Sequence, residues 1–179
     1  MRRIALALGS LVIAAFAWAL HGAATIGVGY SAKQLCSGVF VSQLPAEFVL
    51  EKDILPRMAT VAGMDLFVDA EVGDLEATVN ILTASATATY RDRYGCTLHG
   101  ERSGSQASEK GQVRADPAVR YVSGDPAIEQ AVDALFAEPA EGGRNTLAVL
   151  VMHKGEVITE RYASPVGPRT RLQGWSMNK

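Results

Sequence analysis

The chain has 179 residues, 48% hydrophobic and 20% charged, which is typical of a globular protein and excludes an intrinsically disordered one. Its 17 basic and 19 acidic residues give a net charge of −2, so no nucleic-acid partner is expected, and 7% aromatic content argues against a base-stacking surface. The length allows one ordinary domain, or one small domain with part of another.

The N-terminus carries an apolar segment. Arg2 and Arg3 precede an uncharged run at residues 4–20. This run lies between the apolar region of a signal peptide, about 7–15 residues, and a membrane-spanning helix, about 17–25 residues. We therefore expect residues 1–30 to be an uncleaved signal anchor, which we favour, or a signal peptide.

Either alternative exports the rest of the chain. Cleavage would fall in the small residues at 17–19 or 22–24, whereas an anchor would hold the chain in the membrane through residues 4–20. The arginines stay in the cytoplasm, so the chain from Ser31 onward lies outside. We expect a bacterial inner-membrane protein facing the periplasm, or a periplasmic or secreted one if the segment is cleaved.

The chain has two cysteines, Cys36 and Cys96. Export favours a disulfide between them over two buried thiols. The bridge would close a loop of about 60 residues and stabilise the fold by about 4 kcal/mol in the chain-entropy model. The three histidines are scattered and no CxxC pair occurs, so we expect no metal or cofactor.

Residues 31–116 are predicted to form a small β-rich unit that ends in a polar linker at 100–116. The linker is polar and rich in Ser, Gly and Gln. Short extended or strand segments are predicted from their β-branched and alternating residues, and one partial helix from its apolar spacing. The extended segments are 36–42, 64–70, 75–90 and 96–99, a turn is expected at 71–74, and the helix covers 44–58.

A helix and a hairpin follow. Asp125 is a good N-cap and Pro126 suits the first helical position, so an amphipathic helix is predicted at 126–138. Residues 146–153 are nearly all apolar, which predicts a strand covered on both faces. A tight turn and an alternating strand at 157–162 complete the predicted hairpin.

Ser176 and Lys179 are spaced i, i+3, which places them on one face of a helix. A serine hydroxyl needs an adjacent base to act as a nucleophile, and a neutral lysine can supply it. The N-terminus of a helix would add a positive dipole and free N–H groups for an oxyanion. Asn178 occupies the position of the second glycine in Gly-x-Ser-x-Gly, which argues against an α/β-hydrolase.

The chain resembles the first part of the β-lactamase-related serine hydrolases, the superfamily of class C β-lactamases, penicillin-binding proteins and 6-aminohexanoate-dimer hydrolases. The segments that carry the resemblance are 36–42, 94–98, 148–153 with Gly155, and the Gly-Trp-Ser-Met-x-Lys pattern at 174–179. In that family the serine becomes an acyl-enzyme and the lysine helps to activate it. The resemblance therefore implies that Ser176 is the nucleophile and Lys179 the base.

The resemblance also implies an α+β fold and a substrate with an amide or ester bond. Residues 117–179 would begin a β-lactamase/transpeptidase-like domain with its leading helix and antiparallel strands. The family's tyrosine motif and Lys/His-Thr-Gly strand, both expected after Lys179, are absent from the sequence. We therefore expect a truncated hydrolase that is not active as the isolated chain. The alternative is a non-enzymatic, membrane-anchored envelope protein.

Overall fold

The structure is a computed structural model that describes residues 2–61, 63–99, 125–137 and 143–174, with side chains from Leu8 onward. The chain forms two compact units, residues 1–105 and 106–179. The elements are a long N-terminal apolar helix, a four-stranded antiparallel sheet, a short helix and a β-hairpin. The expected α+β class is confirmed at this level.

The N-terminal helix, α1, runs from Arg2 to Cys36 without interruption. It therefore continues beyond residue 30, where the sequence alone suggested a boundary. Side chains about one turn apart in its second half are fully or almost fully buried and form a stripe of the core; they are Ala24, Val28, Ala32 and Leu35. One helix thus supplies both the apolar N-terminal segment and the central element of the first unit.

The short extended run predicted at 36–42 is wrong. Cys36 is the last residue of α1, and Ser37–Val41 form a widened helical turn. A Cβ atom on Gly38 would lie 2.5 Å from a methyl carbon of Val49, so only glycine allows this close approach. The β-branched residues at 39 and 41 suggested a strand, but packing of the reversing chain overrides that local preference.

The chain then returns beside α1 in the opposite direction. The helix predicted at 44–58 is present as α2 (Ala46–Val49), a widened turn at Leu50–Ile54, and α3 (Leu55–Ala59), followed by a 3₁₀ turn at Met64–Phe67. Three contacts fix the antiparallel direction: the Gly38–Val49 approach, the Gln34–Asp53 hydrogen bond, and Met58 near Gly27. The start of this segment therefore lies near Cys36, and its end lies near the middle of α1.

The sheet has the order β1-β2-β3-β4, with every neighbour antiparallel. Its strands are β1 (Val68–Val72), β2 (Glu76–Ile81), β3 (Ala84–Arg91) and β4 (Gly95–Leu98). The strand predicted at 64–70 begins four residues later, since 64–67 form the 3₁₀ turn, and the turn expected at 71–74 begins after Val72.

The run at 75–90, read as one stretch of strand structure, is two strands joined by a tight turn at Leu82-Thr83. Leu82 has a positive φ of 55° there, a conformation that is unusual for leucine. The usual turn residues, asparagine and glycine, are absent from this position, so no local signal predicts the hairpin.

One face of the sheet packs on α1. Alternating residues of β2 and β3 are buried, as expected for a sheet with one covered face; they are Ala77, Val79, Ile81, Ala84 and Ala88. A Cβ atom added to Gly27 would be in van der Waals contact with Ile81, and one added to Gly29 would be in contact with Leu98. Small residues on both sides thus let the helix lie close to the sheet.

The second unit contains α4 (Pro126–Phe136) and a hairpin of β5 (Ala148–His153) and β6 (Glu156–Tyr162). The Asp125 carboxylate accepts a hydrogen bond of 2.8 Å from the amide of Ala127, which confirms the predicted N-cap. The helix ends two residues before the predicted position 138. The predicted hairpin is confirmed, with a bulge after Val151.

Within the described residues, β5 is not covered on both faces, unlike the fully covered strand that its composition suggests. Val157 and Thr159 of the paired strand are buried, but Leu150 and Met152 of β5 are more than half exposed. The hairpin has only two strands, so one of its faces has no covering element among residues 125–137 and 143–174. Composition alone cannot tell a strand buried on two faces from an apolar strand with one open face.

Candidate functional site

The predicted catalytic residues Ser176 and Lys179 lie outside the described residues, as does the polar linker expected at 100–116. The structure therefore describes the elements that precede the motif. Described residues 163–174 form an irregular segment with turns after Ala163 and Gly167. The described part of the first unit contains a candidate membrane segment, a disulfide and two polar clusters.

Arg161 joins the hairpin of the second unit to its helix. Its guanidinium donates to Glu129 at 2.8 Å and also contacts Asp133, one helical turn further along α4. Arg161 is about one-third exposed, so solvent weakens this pair and it contributes little more than an ordinary surface interaction. Its role is to set the direction of β6 relative to α4, two elements that precede the Ser-x-x-Lys motif in the chain.

The first half of α1 exposes apolar side chains around its circumference. The exposed fractions of its large apolar residues lie between 60% and 80%. They are Leu8, Leu11, Val12, Ile13, Phe16 and Trp18. The helix is long and apolar enough to cross a membrane. Both a membrane anchor and a signal sequence have this length and composition.

The second half of α1 is fixed to the sheet by a covalent bond. Cys36 and Cys96 form a disulfide, with their Cα atoms 6.0 Å apart. Both residues are buried, and the bridge joins the end of α1 to β4. Such a bond is consistent with a location outside the cytoplasm, where thiols are oxidised.

A polar cluster joins α1 to the returning segment. Gln34 donates to the Tyr30 hydroxyl at 3.2 Å and to the Asp53 carboxylate at 3.1 Å, and Arg57 pairs with the same carboxylate at 3.0 Å. Burial raises the pKa of Tyr30 above its ordinary value, so this hydroxyl stays neutral at physiological pH and acts as a hydrogen-bonding group. The cluster holds two helical segments together.

A second cluster lies on the outer face of the sheet. Thr89 donates to Glu76 at 2.9 Å, and its hydroxyl oxygen lies 2.6 Å from Nε2 of His99. His99 and Glu76 are more than half exposed. Water therefore competes with these contacts, and they form a polar surface rather than a protected reaction centre. Among the described residues, no group of three or more His, Cys, Asp or Glu side chains is placed to hold a metal ion.

One feature of the first unit gave no signal in the sequence. Five exposed apolar residues, here called the apolar rim, lie at the end of the unit where α1 emerges from the apolar segment; they are Ile26, Val61, Leu66, Phe67 and Leu82. Four of them are scattered over turns and a 3₁₀ segment, so no periodicity in the sequence connects them. The fold places them at the same end of the unit.

Ser31 is a polar residue in the core of the first unit. It is fully buried, and its hydroxyl has no hydrogen-bond partner among the described residues. A buried hydroxyl without a partner costs about 1–3 kcal/mol. This cost is unusual for a side chain in the stripe of α1 that faces the core.

We expect Ser31→Ala to raise the free energy of unfolding by about 1 kcal/mol, since it removes the desolvated hydroxyl and leaves a residue of similar size. The measurement is denaturant unfolding of the detergent-solubilised chain. Ser85→Ala, on the exposed outer face of the sheet, is the matched control and should change stability little. A destabilising effect of Ser31→Ala would show that this hydroxyl has a partner that stabilises the fold.

Comparisons with known proteins identify no relative: no family model, no curated protein and no solved structure matches the chain.

Proposed function

We propose that the chain is an exported protein anchored in the membrane by residues 4–20, with both compact units on the outer side. The observation that carries this proposal is the division of α1 into an exposed apolar half and a half buried in a disulfide-linked core. Arg2 and Arg3 favour a cytoplasmic N-terminus. The disulfide fits an oxidising compartment for the first unit.

We further propose that the N-terminal segment remains uncleaved. The sites considered for a signal peptidase, at 17–19 and 22–24, both fall inside the continuous helix. Ala24 is fully buried, and His21 hydrogen-bonds Thr83 of the β2–β3 turn at 3.2 Å. Cleavage at either site would remove part of an element to which the sheet is attached, whereas an anchor uses the whole helix.

We expect the protein recovered from its host to retain its initial residues and to remain in the membrane after washing with alkaline carbonate. Mass spectrometry of the intact protein checks the first outcome, and immunoblotting of the membrane fraction checks the second. Recovery of a form that begins between residues 18 and 25 would contradict the proposal. A variant with Leu11 and Val12 replaced by aspartate is the control, since two charges in the apolar half oppose insertion.

We propose that residues 117–179 begin a serine hydrolase domain that acts on an amide or ester bond. The support is the resemblance to the β-lactamase-related hydrolases and the Ser-x-x-Lys spacing of Ser176 and Lys179. The helix at 126–136 and the antiparallel hairpin at 148–162 precede the motif in the order that the resemblance implies. The proposed chemistry is attack by the Ser176 hydroxyl on the carbonyl carbon, with neutral Lys179 taking the proton. The amide or ester bond then breaks, the amine or alcohol leaves with the proton from Lys179, and water hydrolyses the acyl-enzyme to regenerate Ser176.

The hydrolase proposal is tested by a fluorophosphonate probe applied to the protein as its host produces it. Where the host's protein continues after residue 179 into the missing motifs, we expect covalent labelling at Ser176, abolished in Ser176→Ala and strongly reduced in Lys179→Met, because the hydroxyl is a weak nucleophile without a base. The isolated 179-residue chain should not be labelled. Ser85→Ala should label as the wild type does. The coding sequence after codon 179 is the companion observation. A helix, a tyrosine motif and a Thr-Gly strand there would support the proposal.

Absence of labelling, together with unrelated sequence after codon 179, would favour the non-enzymatic alternative. In that case the anchored first unit would act as a binding or structural module of the cell envelope. Its exposed outer sheet face, rich in threonine and charged groups, would then be the surface to examine first.

A further inference from the structure

We propose that the apolar rim of the first unit is a second membrane contact, which sits in the outer headgroup region of the same bilayer that α1 spans. This inference rests on the proposed membrane anchor. It adds that the folded unit itself touches lipid, so that it is held against the membrane surface and not displayed at a distance from it.

The continuity of α1 leaves no room for a spacer. A hydrocarbon core of about 30 Å takes about 20 helical residues at a rise of about 1.5 Å each. Counted from the first apolar residue, Ile4, the span ends near Ala23. The helix runs on unbroken to Cys36, and its residues from Ala24 onward already belong to the core of the unit. The folded unit therefore begins where the hydrocarbon ends.

Contacts along α1 show which end of the unit faces the bilayer. His21 bonds Thr83 in the β2–β3 turn, so this turn lies at the level where the span ends. Ile81, the last residue of β2, lies close to Gly27 and pairs with Val68, the first residue of β1. The turn at 82–83 and the 3₁₀ segment that leads into β1 are therefore both at the membrane end.

The rim residues occupy these membrane-end positions. Leu82 forms part of the β2–β3 turn, Leu66 and Phe67 belong to the 3₁₀ segment, and Val61 follows α3, whose Met58 lies near Gly27. Ile26 projects from α1 itself. Their exposed fractions range from 39% for Val61 to 81% for Leu66. This exposure would be unfavourable in water and is favourable at a lipid interface.

Charge distinguishes the two ends of the unit. The membrane end includes residues 60–67 and 82–83, and Asp65 is the only charged residue among those that the structure describes there. The opposite end also exposes apolar side chains, among them Val72 and Leu75. Those neighbour the charged residues Glu71, Asp74, Glu76, Asp92 and Arg93. A membrane-contacting surface requires few charges, and the membrane end of the unit meets this requirement.

The two ends of β2 supply a matched pair of positions for the test. Leu75, just before β2, is 52% exposed, and Leu82, just after it, is 47% exposed. The strand separates them by about 20 Å at a rise of about 3.3 Å per residue. Tryptophans at these two positions would therefore be similarly exposed on the unit but would lie at different distances from the bilayer.

The experiment uses the full chain in vesicles of phosphatidylcholine and phosphatidylglycerol whose acyl chains carry bromine either near the glycerol or near the chain end. Leu82→Trp and Leu75→Trp are each made with Trp18→Phe and Trp175→Phe as single-tryptophan reporters. A third protein keeps Trp18 and carries only Trp175→Phe. We expect bromine near the glycerol to reduce the emission of Leu82→Trp about twofold and to leave that of Leu75→Trp nearly unchanged.

Trp18 distinguishes the two proposals. Quenching of Trp18 by brominated lipid, with equal and weak quenching at positions 75 and 82, would overturn the rim contact and leave the anchor in place. No quenching of Trp18 would overturn the anchor, and the rim proposal with it. Phe67→Trp provides a second rim reporter should Leu82→Trp fail to form the Cys36–Cys96 disulfide, which intact mass verifies in each variant.

Discussion

Replacing both Cys36 and Cys96 with alanine is expected to lower the free energy of unfolding of the first unit by about 4 kcal/mol. The bridge closes a loop of 60 residues between the end of α1 and β4. Without it, the unfolded chain gains conformational freedom that the disulfide otherwise removes. A loss of this size is a large fraction of the stability of a small domain, about 5–15 kcal/mol.

The measurement is hydrogen exchange of the β2 and β3 amides, followed by mass spectrometry in detergent micelles, with and without dithiothreitol. Reduction should accelerate exchange in the wild type and have no effect on the double variant. The single variant Cys36→Ala should resemble the double variant. Unchanged exchange after complete reduction would show that α1 and the sheet stay together through packing alone, and would contradict the expected contribution of the bridge.

The sequence predicted those elements whose signals are local. Asp125 and Pro126 marked the start of α4 through their capping chemistry, and the alternation at 157–162 marked a hairpin strand. The disulfide could be predicted because the chain has two cysteines, which allow a single pair, and because export favours oxidation. In each case, adjacent residues or the number of cysteines was enough to predict the feature.

The errors occurred where tertiary packing decides the structure. Small residues at 22–30 suggested a cleavage region or a boundary from the sequence alone, and in the fold Ala24, Gly27 and Gly29 among them lie in the core or close to the sheet. The stretch at 36–42 favours a strand by propensity, but the close approach of Gly38 to Val49 requires a helical reversal. The turn at Leu82-Thr83 contains neither glycine nor asparagine, so the burial of the inner face of β2 and β3 against α1 determines its position.

The candidate sites differ in the same way. Ser176 and Lys179 were predicted from their spacing, since a short motif can be recognised from its residue types and spacing alone. Both residues lie outside those that the structure describes. The apolar rim had no such signal. Its members lie in α1, after α3, in the 3₁₀ segment and in the β2–β3 turn, and each is an ordinary exposed apolar residue until the fold places it beside the apolar half of α1.

Ile81→Ala is expected to destabilise the first unit by about 2–5 kcal/mol, because it leaves a cavity between β2 and α1. Ile81 is fully buried, and its Cδ1 atom lies 3.4 Å from the position of a Cβ on Gly27. Leu82→Ala is the matched control. Leu82 is the next residue in the chain but is half exposed, so its loss should change the free energy of unfolding by less than about 0.5 kcal/mol. Denaturant unfolding in micelles of a neutral detergent measures both variants.

The pair separates folding from membrane contact at adjacent positions. If Leu82 served only the fold, Leu82→Ala would reduce stability and leave the quenching of a Phe67→Trp reporter unchanged. If Leu82 serves the bilayer contact, Leu82→Ala should preserve stability and weaken that quenching. Ile81→Ala should instead reduce stability, because Ile81 faces α1 and Leu82 faces outward. An equal loss of stability in both variants would contradict the assignment of Ile81 to the core and of Leu82 to the bilayer contact.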